Sequence, residues 1–191
     1  MRSAGLLSAI VLPLATAVLG ACGDPLSLNP ATVANQVDTV TVWAANGTPV
    51  YLPSAYDIYL RARERLDQVS GFDFLYAISP AGKPVFLPLA AVAPTGRTTG
   101  NPGFQATETP FDSITVAQQL GYVTTDTVPA TLGQVYYARS ALNTTACPLG
   151  IPFYAKMQVL SFDDSVRSVT FRILSNVNCG YRALEVGLPK K

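Results

Sequence analysis

FYAKMQVLSFDDSVRSVTFRILS, residues 153–175, decides the fold. On its C-terminal arm Val169, Phe171 and Ile173 fall on one side and Thr170, Arg172 and Leu174 on the other, the period of two that a strand imposes on its side chains. The arm before it, FYAKMQVLSF, is equally strand-like, and DDSV between them supplies turn residues. Asp163 and Asp164 at such a tip serve the turn by bonding backbone amides more readily than they bind a cation. The segment therefore predicts an antiparallel hairpin, and Cys147 and Cys179 bracket it.

Working outward, the same period returns twice. In VDTVTVW (residues 37–43) Val40 and Val42 oppose Thr39, Thr41 and Trp43, and Asn46-Gly47 before TPVYL has the form of a two-residue hairpin turn. In FDFLYAIS, Phe72, Phe74, Tyr76 and Ile78 oppose Asp73, Leu75 and Ala77, and PAGK turns the chain into PVFLPLA. Pro84 and Pro88 place that second hairpin near a sheet edge, because proline gives no amide to a ladder. Residues 95–110, rich in Gly, Thr and Pro, show neither period and read as a long surface loop. SAYDIYLRARERLDQ (residues 54–68) admits two readings. Ser54 and Asp57 stand at capping-box spacing for a helix, whereas Tyr56, Ile58, Leu60 and Ala62 alternate as a strand would. The β-rich surroundings favour strand. The expected fold is all-β, an antiparallel β-sandwich or open barrel with at most one short helix.

The N-terminus carries a different kind of signal. Arg2 is followed by the apolar run AGLLSAIVLPLATAVL, then Gly20 and Ala21 before Cys22. A short positive region, an apolar stretch and small residues make a secretory signal peptide, and the run is too short and too interrupted by Pro13 for an anchor helix. Leu19, Gly20, Ala21 and Cys22 resemble the lipobox of bacterial lipoprotein precursors. That resemblance covers about an eighth of the chain, and implies that Cys22 receives a diacylglyceryl group and becomes the mature N-terminus. It also implies an address at the cell envelope, the outer membrane where one exists, since Gly23 stands where an inner-membrane retention aspartate would. Two or three acyl chains make such anchoring effectively permanent. The organisation expected is a signal peptide over residues 1–21, a flexible tether over 22–36, and one β-rich domain over 37–191.

Composition removes several functions. The chain has 13 Lys and Arg against 12 Asp and Glu, so no electrostatic case for nucleic acid exists. It has no histidine, which rules out a Ser-His-Asp site and the commonest metal ligand. No phosphate-binding loop, G-x-S-x-G or calcium loop occurs, and no cofactor or metal is implied. Of three cysteines, Cys22 is assigned to lipid, and the remaining pair, Cys147 and Cys179, is expected to form a disulfide in an oxidising compartment. Catalysis without histidine is open to a glycan hydrolase using two carboxylates, for which Asp73, Glu108, Asp112 and Asp126 are the candidates. Solvated loop acids explain those residues equally well.

Two features suggest recognition. On a strand, Arg61, Arg63 and Arg65 would share one face about 7 Å apart and would suit an anionic lipid or acidic glycan. Trp43, Tyr51, Tyr56 and Tyr59 would form a carbohydrate-stacking platform if exposed, or core if not. The functional expectation is an envelope lipoprotein with a non-catalytic binding or structural β-domain, its partners being the membrane through the anchor and an envelope protein, glycan or anionic lipid. A glycan hydrolase is the alternative.

Overall fold

The computed structural model describes residues 28–93 and 100–190. In chain order its strands are β1 (Val37–Trp43), β2 (Ala55–Asp57), β3 (Ala62–Glu64), β4 (Phe74–Ile78) and β5 (Pro84–Pro88). After them come β6 (Gly103–Thr107), β7 (Val128–Pro129), β8 (Val135–Arg139), β9 (Tyr154–Asp163) and β10 (Ser168–Asn176). They pair into two five-stranded antiparallel sheets, ordered β1-β10-β9-β8-β6 and β3-β2-β4-β5-β7. The helical content among the described residues is one turn at Leu89–Val92 and a 3₁₀ turn at Phe111–Ser113. The chain is thus a β-sandwich, as the alternation predicts.

Period two explains how the layers meet. Val40 and Val42 of β1, Phe171 and Ile173 of β10, and Met157 and Val159 of β9 point inward to meet Tyr56, Phe74, Tyr76 and Phe86 from the other sheet. Phe74 sits at the centre, with ring centroids 4.8 Å from Phe104, 5.7 Å from Phe86 and 5.9 Å from Phe171. The alternate residues Leu75, Ala77 and Val85 build a smaller apolar cluster on the outer face of the second sheet. On the outer face of the first, Tyr137, Tyr154 and Leu174 are covered by Phe111, Ile114 and Leu184 from the segments around the 3₁₀ turn and the C-terminus.

The hairpin over 153–175 forms, with one irregularity where Thr170 pairs with Ser161 and Phe171 with Val159, so that Leu160 bulges outward. The hairpin β4–β5 also forms, and β5 lies beside the two-residue edge strand β7. The Asn46-Gly47 hairpin does not. β1 pairs along its whole length with β10, because that partner lets Val40 and Val42 enter the core. Asn46 instead uses its side chain like a strand: Nδ2 donates to the Ile78 carbonyl at 2.8 Å, and Oδ1 accepts from the Ile78 amide at 3.0 Å. The surface loop expected over 95–110 is also corrected. Gly103–Thr107 is the edge strand β6, with Phe104 buried and paired to Val123 on the side away from β8.

The segment over 54–68 is neither one strand nor a helix. β2 turns at Arg61, whose φ of 55° is left-handed, and returns as β3. Three-residue strands fit there because the hairpin stands at the sheet edge and only β2 needs a second neighbour, β4. The tether expectation is sharpened in the same way. Of residues 22–36, those from 28 onward are described, and they are held against the domain: Asn178 Oδ1 accepts from the amides of Thr32 and Val33 at 2.9 and 3.0 Å, and Asn35 and Gly187 exchange both backbone hydrogen bonds. Cys22 and the signal segment over 1–21 lie outside the described residues.

Candidate functional site

The three arginines are not presented together. Arg61 emerges from the left-handed turn and donates from Nε and Nη2 to Asp38 Oδ2 at 3.1 and 2.7 Å, with its side chain only 15% exposed. Arg65, one residue past β3, is paired with Asp67 through two bonds of 3.0 and 2.6 Å. Arg63 alone is exposed, and its Nη1 donates to the Thr41 carbonyl at 3.3 Å. Arg61 and Arg63 therefore reach from the edge of one sheet to β1, the edge of the other, and cover its outward-facing backbone. A long charged side chain laid over a free edge discourages pairing with another chain.

The aromatic residues divide as well. Tyr56 is fully buried, in edge contact with Phe171 at 5.8 Å, and burial holds its hydroxyl well above the ordinary tyrosine range. Tyr59 is half-buried and stacks on Phe153 with centroids 4.6 Å apart. Trp43 is half-buried in β1, and Tyr51 is the exposed member of the four. Two of the rings are committed to packing inside the sandwich, so the four do not compose one exposed platform.

The carboxylate candidates are likewise dispersed. Glu108 lines a groove with Leu132 and Gln158 near the hairpin-turn end of the sheets, whereas Asp73 lines a cleft at the opposite end with Tyr59, Ser140 and Asn143. Asp112, on the 3₁₀ turn, faces Arg172 at 3.2 Å, and Asp126 is exposed before β7. Asp163 accepts from the Ser165 hydroxyl and the Ser165 and Val166 amides, which is turn chemistry. Among the described residues no group of three or more metal-ligating side chains assembles.

Asp73 does something the sequence only hinted at by placing an acid inside an apolar run. It is 3% exposed and accepts one backbone amide on each oxygen, Ile58 N at 2.7 Å and Ala141 N at 2.6 Å. Ile58 follows β2 in one sheet and Ala141 follows β8 in the other, so this carboxyl pins the layers together. Burial, assisted by Asp57, pushes its pKa up to about 7 against the lowering effect of the two amides.

Around that same end three further ties converge. Cys147 and Cys179 are bonded, with Cα atoms 5.0 Å apart. Asn178 donates from Nδ2 to the Val33 carbonyl at 2.8 Å and to Asn176 Oδ1 at 2.9 Å. The Tyr181 hydroxyl donates to the Asn29 carbonyl at 2.9 Å. These residues and the docked N-terminal segment enclose a groove of about 640 Å³, with Leu28, Pro30, Pro148 and Leu149 at its rim. None of the described side chains that line it is charged.

A buried lysine also escaped the sequence reading. Lys156, on the outer face of β9, is 5% exposed, donates to the Ile114 carbonyl at 2.8 Å and lies 4.7 Å from the centre of the Phe111 ring. Burial lowers its pKa, and the nearby Asp112 opposes that shift. Its bond holds down the covering segment over 111–117, a structural task. Comparison of the chain with protein-family models, with curated proteins and with solved structures finds no match.

Proposed function

We propose that this is a lipid-anchored envelope protein whose sandwich binds a partner or serves the envelope structurally, rather than catalysing a reaction. The observation that carries the reading is the cysteine arrangement. Three cysteines occur, two are bonded to each other, and Cys22, which closes the Leu19-Gly20-Ala21-Cys22 sequence, is left over. A disulfide fits a domain that folds in an oxidising compartment, and an odd cysteine behind a signal-like run fits acylation. The non-catalytic reading draws on the carboxyls: Asp73 spends both oxygens on backbone amides, Asp112 faces an arginine, and Glu108 lines a different groove. A glycosidase needs two carboxyls about 5 to 10 Å apart across a cleft that a sugar can enter.

The test is incorporation of a labelled fatty acid in a bacterial host that processes lipoproteins. Wild-type chain should take up label and fractionate with membranes, and Cys22→Ser should take up none while its domain still folds. Equal labelling of both would refute the assignment.

A further inference from the structure

The point at which the N-terminal segment meets the sandwich is fixed. Hydrogen bonds from the Thr32 and Val33 amides to Asn178 Oδ1, and from the Tyr181 hydroxyl to the Asn29 carbonyl, hold residues 29–33 to the loop that carries the disulfide. Leu28 packs over Gly180, so closely that a Cβ placed there would meet its Cδ2 at 2.5 Å, and Leu149 approaches the same place at 3.2 Å. The left-handed φ of 85° at Gly180 and this approach both require glycine. Cys22 stands six residues before Leu28. Six residues span at most about 20 Å even when fully extended. β10 alone, at nine residues, measures about 30 Å from the disulfide end to the turn over 163–167.

The two ends also differ in chemistry. The described side chains that line the groove at the disulfide end carry no charge, and Leu149 at its rim is 57% exposed. Val186 and Leu188, 72% and 60% exposed, flank Gly187 where it pairs with Asn35, beside the docked segment. At the far end the concavity between the turns is lined by Lys83, Asp164 and Arg167. Leu149 at the groove and Val186 and Leu188 beside the docked segment, with Glu185 and Lys190 exposed next to them, suit the headgroup boundary of a bilayer, into which apolar side chains enter by roughly 5 to 10 Å while charged ones stay at the polar surface.

We infer that the disulfide end of the sandwich is a membrane-contacting surface, with Leu149 and Leu188 entering the lipid interface and the charged turns held outward. This rests on the reading of Cys22 as the anchor point, and deepens it by assigning the domain an orientation. The short span from Cys22 to Leu28 supplies the proximity. The groove and its exposed rim supply the affinity.

The experiment separates the two statements by making the anchor chemically. Chain from Cys22 to Lys191, which contains every described residue, is coupled through the Cys22 thiol to a maleimide-bearing phospholipid in phosphatidylcholine vesicles, the disulfide left oxidised. Trp43→Phe removes the single native tryptophan, and Leu149→Trp, Leu188→Trp or Val166→Trp introduces one probe at a time. Brominated acyl chains should quench the Leu149→Trp and Leu188→Trp probes about twofold or more, as expected for rings at the headgroup boundary, and leave Val166→Trp essentially unquenched. The pair at the disulfide end guards against one variant disturbing its own surroundings. Equal quenching at Val166→Trp, or no quenching at either leucine position, would overturn the orientation. Because coupling bypasses cellular acylation, that outcome is independent of the fatty-acid labelling result.

Discussion

At the end of the sandwich where the chain enters, a disulfide, a buried carboxyl and a pair of buried asparagines tie together loops from distant parts of the sequence. At the other end, Asp163 accepts bonds from Ser165 in its own turn, and Asn46 makes exposed bonds with Ile78 and accepts one from Arg167 Nε. Both ends join the same strands and share one core, yet only the first is cross-linked. Buried polar groups left without partners are costly, so ties of that kind concentrate where loops are packed away from water. An end built this way keeps its shape because its loops are tied to one another as well as to their own strands. The turns at the other end are held by exposed bonds instead.

Substitutions grade that difference. Replacing Cys147 and Cys179 together by alanine should cost the most, roughly 3 to 4 kcal/mol for a loop of this length, read as a drop in the denaturation midpoint under oxidising conditions. The gap between variant and wild type should close in reductant. If it stays open, the disulfide does not supply the extra stability of that end.

Next comes Asp73→Asn. An amide offers one acceptor where the carboxyl offers two, so one buried amide of Ile58 or Ala141 loses its partner at a cost of roughly 1 to 3 kcal/mol. The pH dependence carries a sign. With the native pKa raised to about 7, the native state holds a proton that the unfolded chain, at the ordinary aspartate value of 3.8, has already released. That contribution is complete in acid and is lost as pH rises through 7. Wild type should therefore lose stability between pH 5 and 7.5, and Asp73→Asn should be flat across the same interval. A parallel slope in both would assign the titration elsewhere.

Asn46→Ala at the turn end should have the smallest effect. It deletes two exposed hydrogen bonds to Ile78 and should lower stability by about 0.5 to 1 kcal/mol, with no change in pH slope. A loss as large as that of the disulfide would erase the contrast between the ends.

Legibility in the sequence followed the length of each pattern. Alternation in β10 set Val169, Phe171 and Ile173 on one side and alternation in β4 set Phe74 and Tyr76 on one side, and these are the sides that enter the core, because one buried face forces period two wherever a strand is long enough to show it. Patterns of three residues could not speak. β2 and β3 are that short, so the strand and helix readings of residues 54–68 balanced, and the arginine row looked continuous until the left-handed Arg61 broke it. β6 was hidden by its own Gly103, which reads as loop but lies where a Cβ would come within 2.5 Å of the Val123 carbonyl. Asp73 was visible as an acid in an apolar run, but its two amide donors lie 15 and 68 residues away.

Sequence alone determined that the chain is all-β, that Cys147 and Cys179 form a pair, and that histidine chemistry is absent, since period, cysteine count and composition are properties of residues in their own neighbourhoods. Tertiary structure decided the rest. It chose β10 over the Asn46-Gly47 turn as partner for β1, bonded Arg61 to Asp38, buried Tyr56 and gave the Asp73 carboxyl two sheets to join. Each of these joins residues far apart in the chain, and its energy comes from burial and bond geometry that exist only once the two sheets face each other.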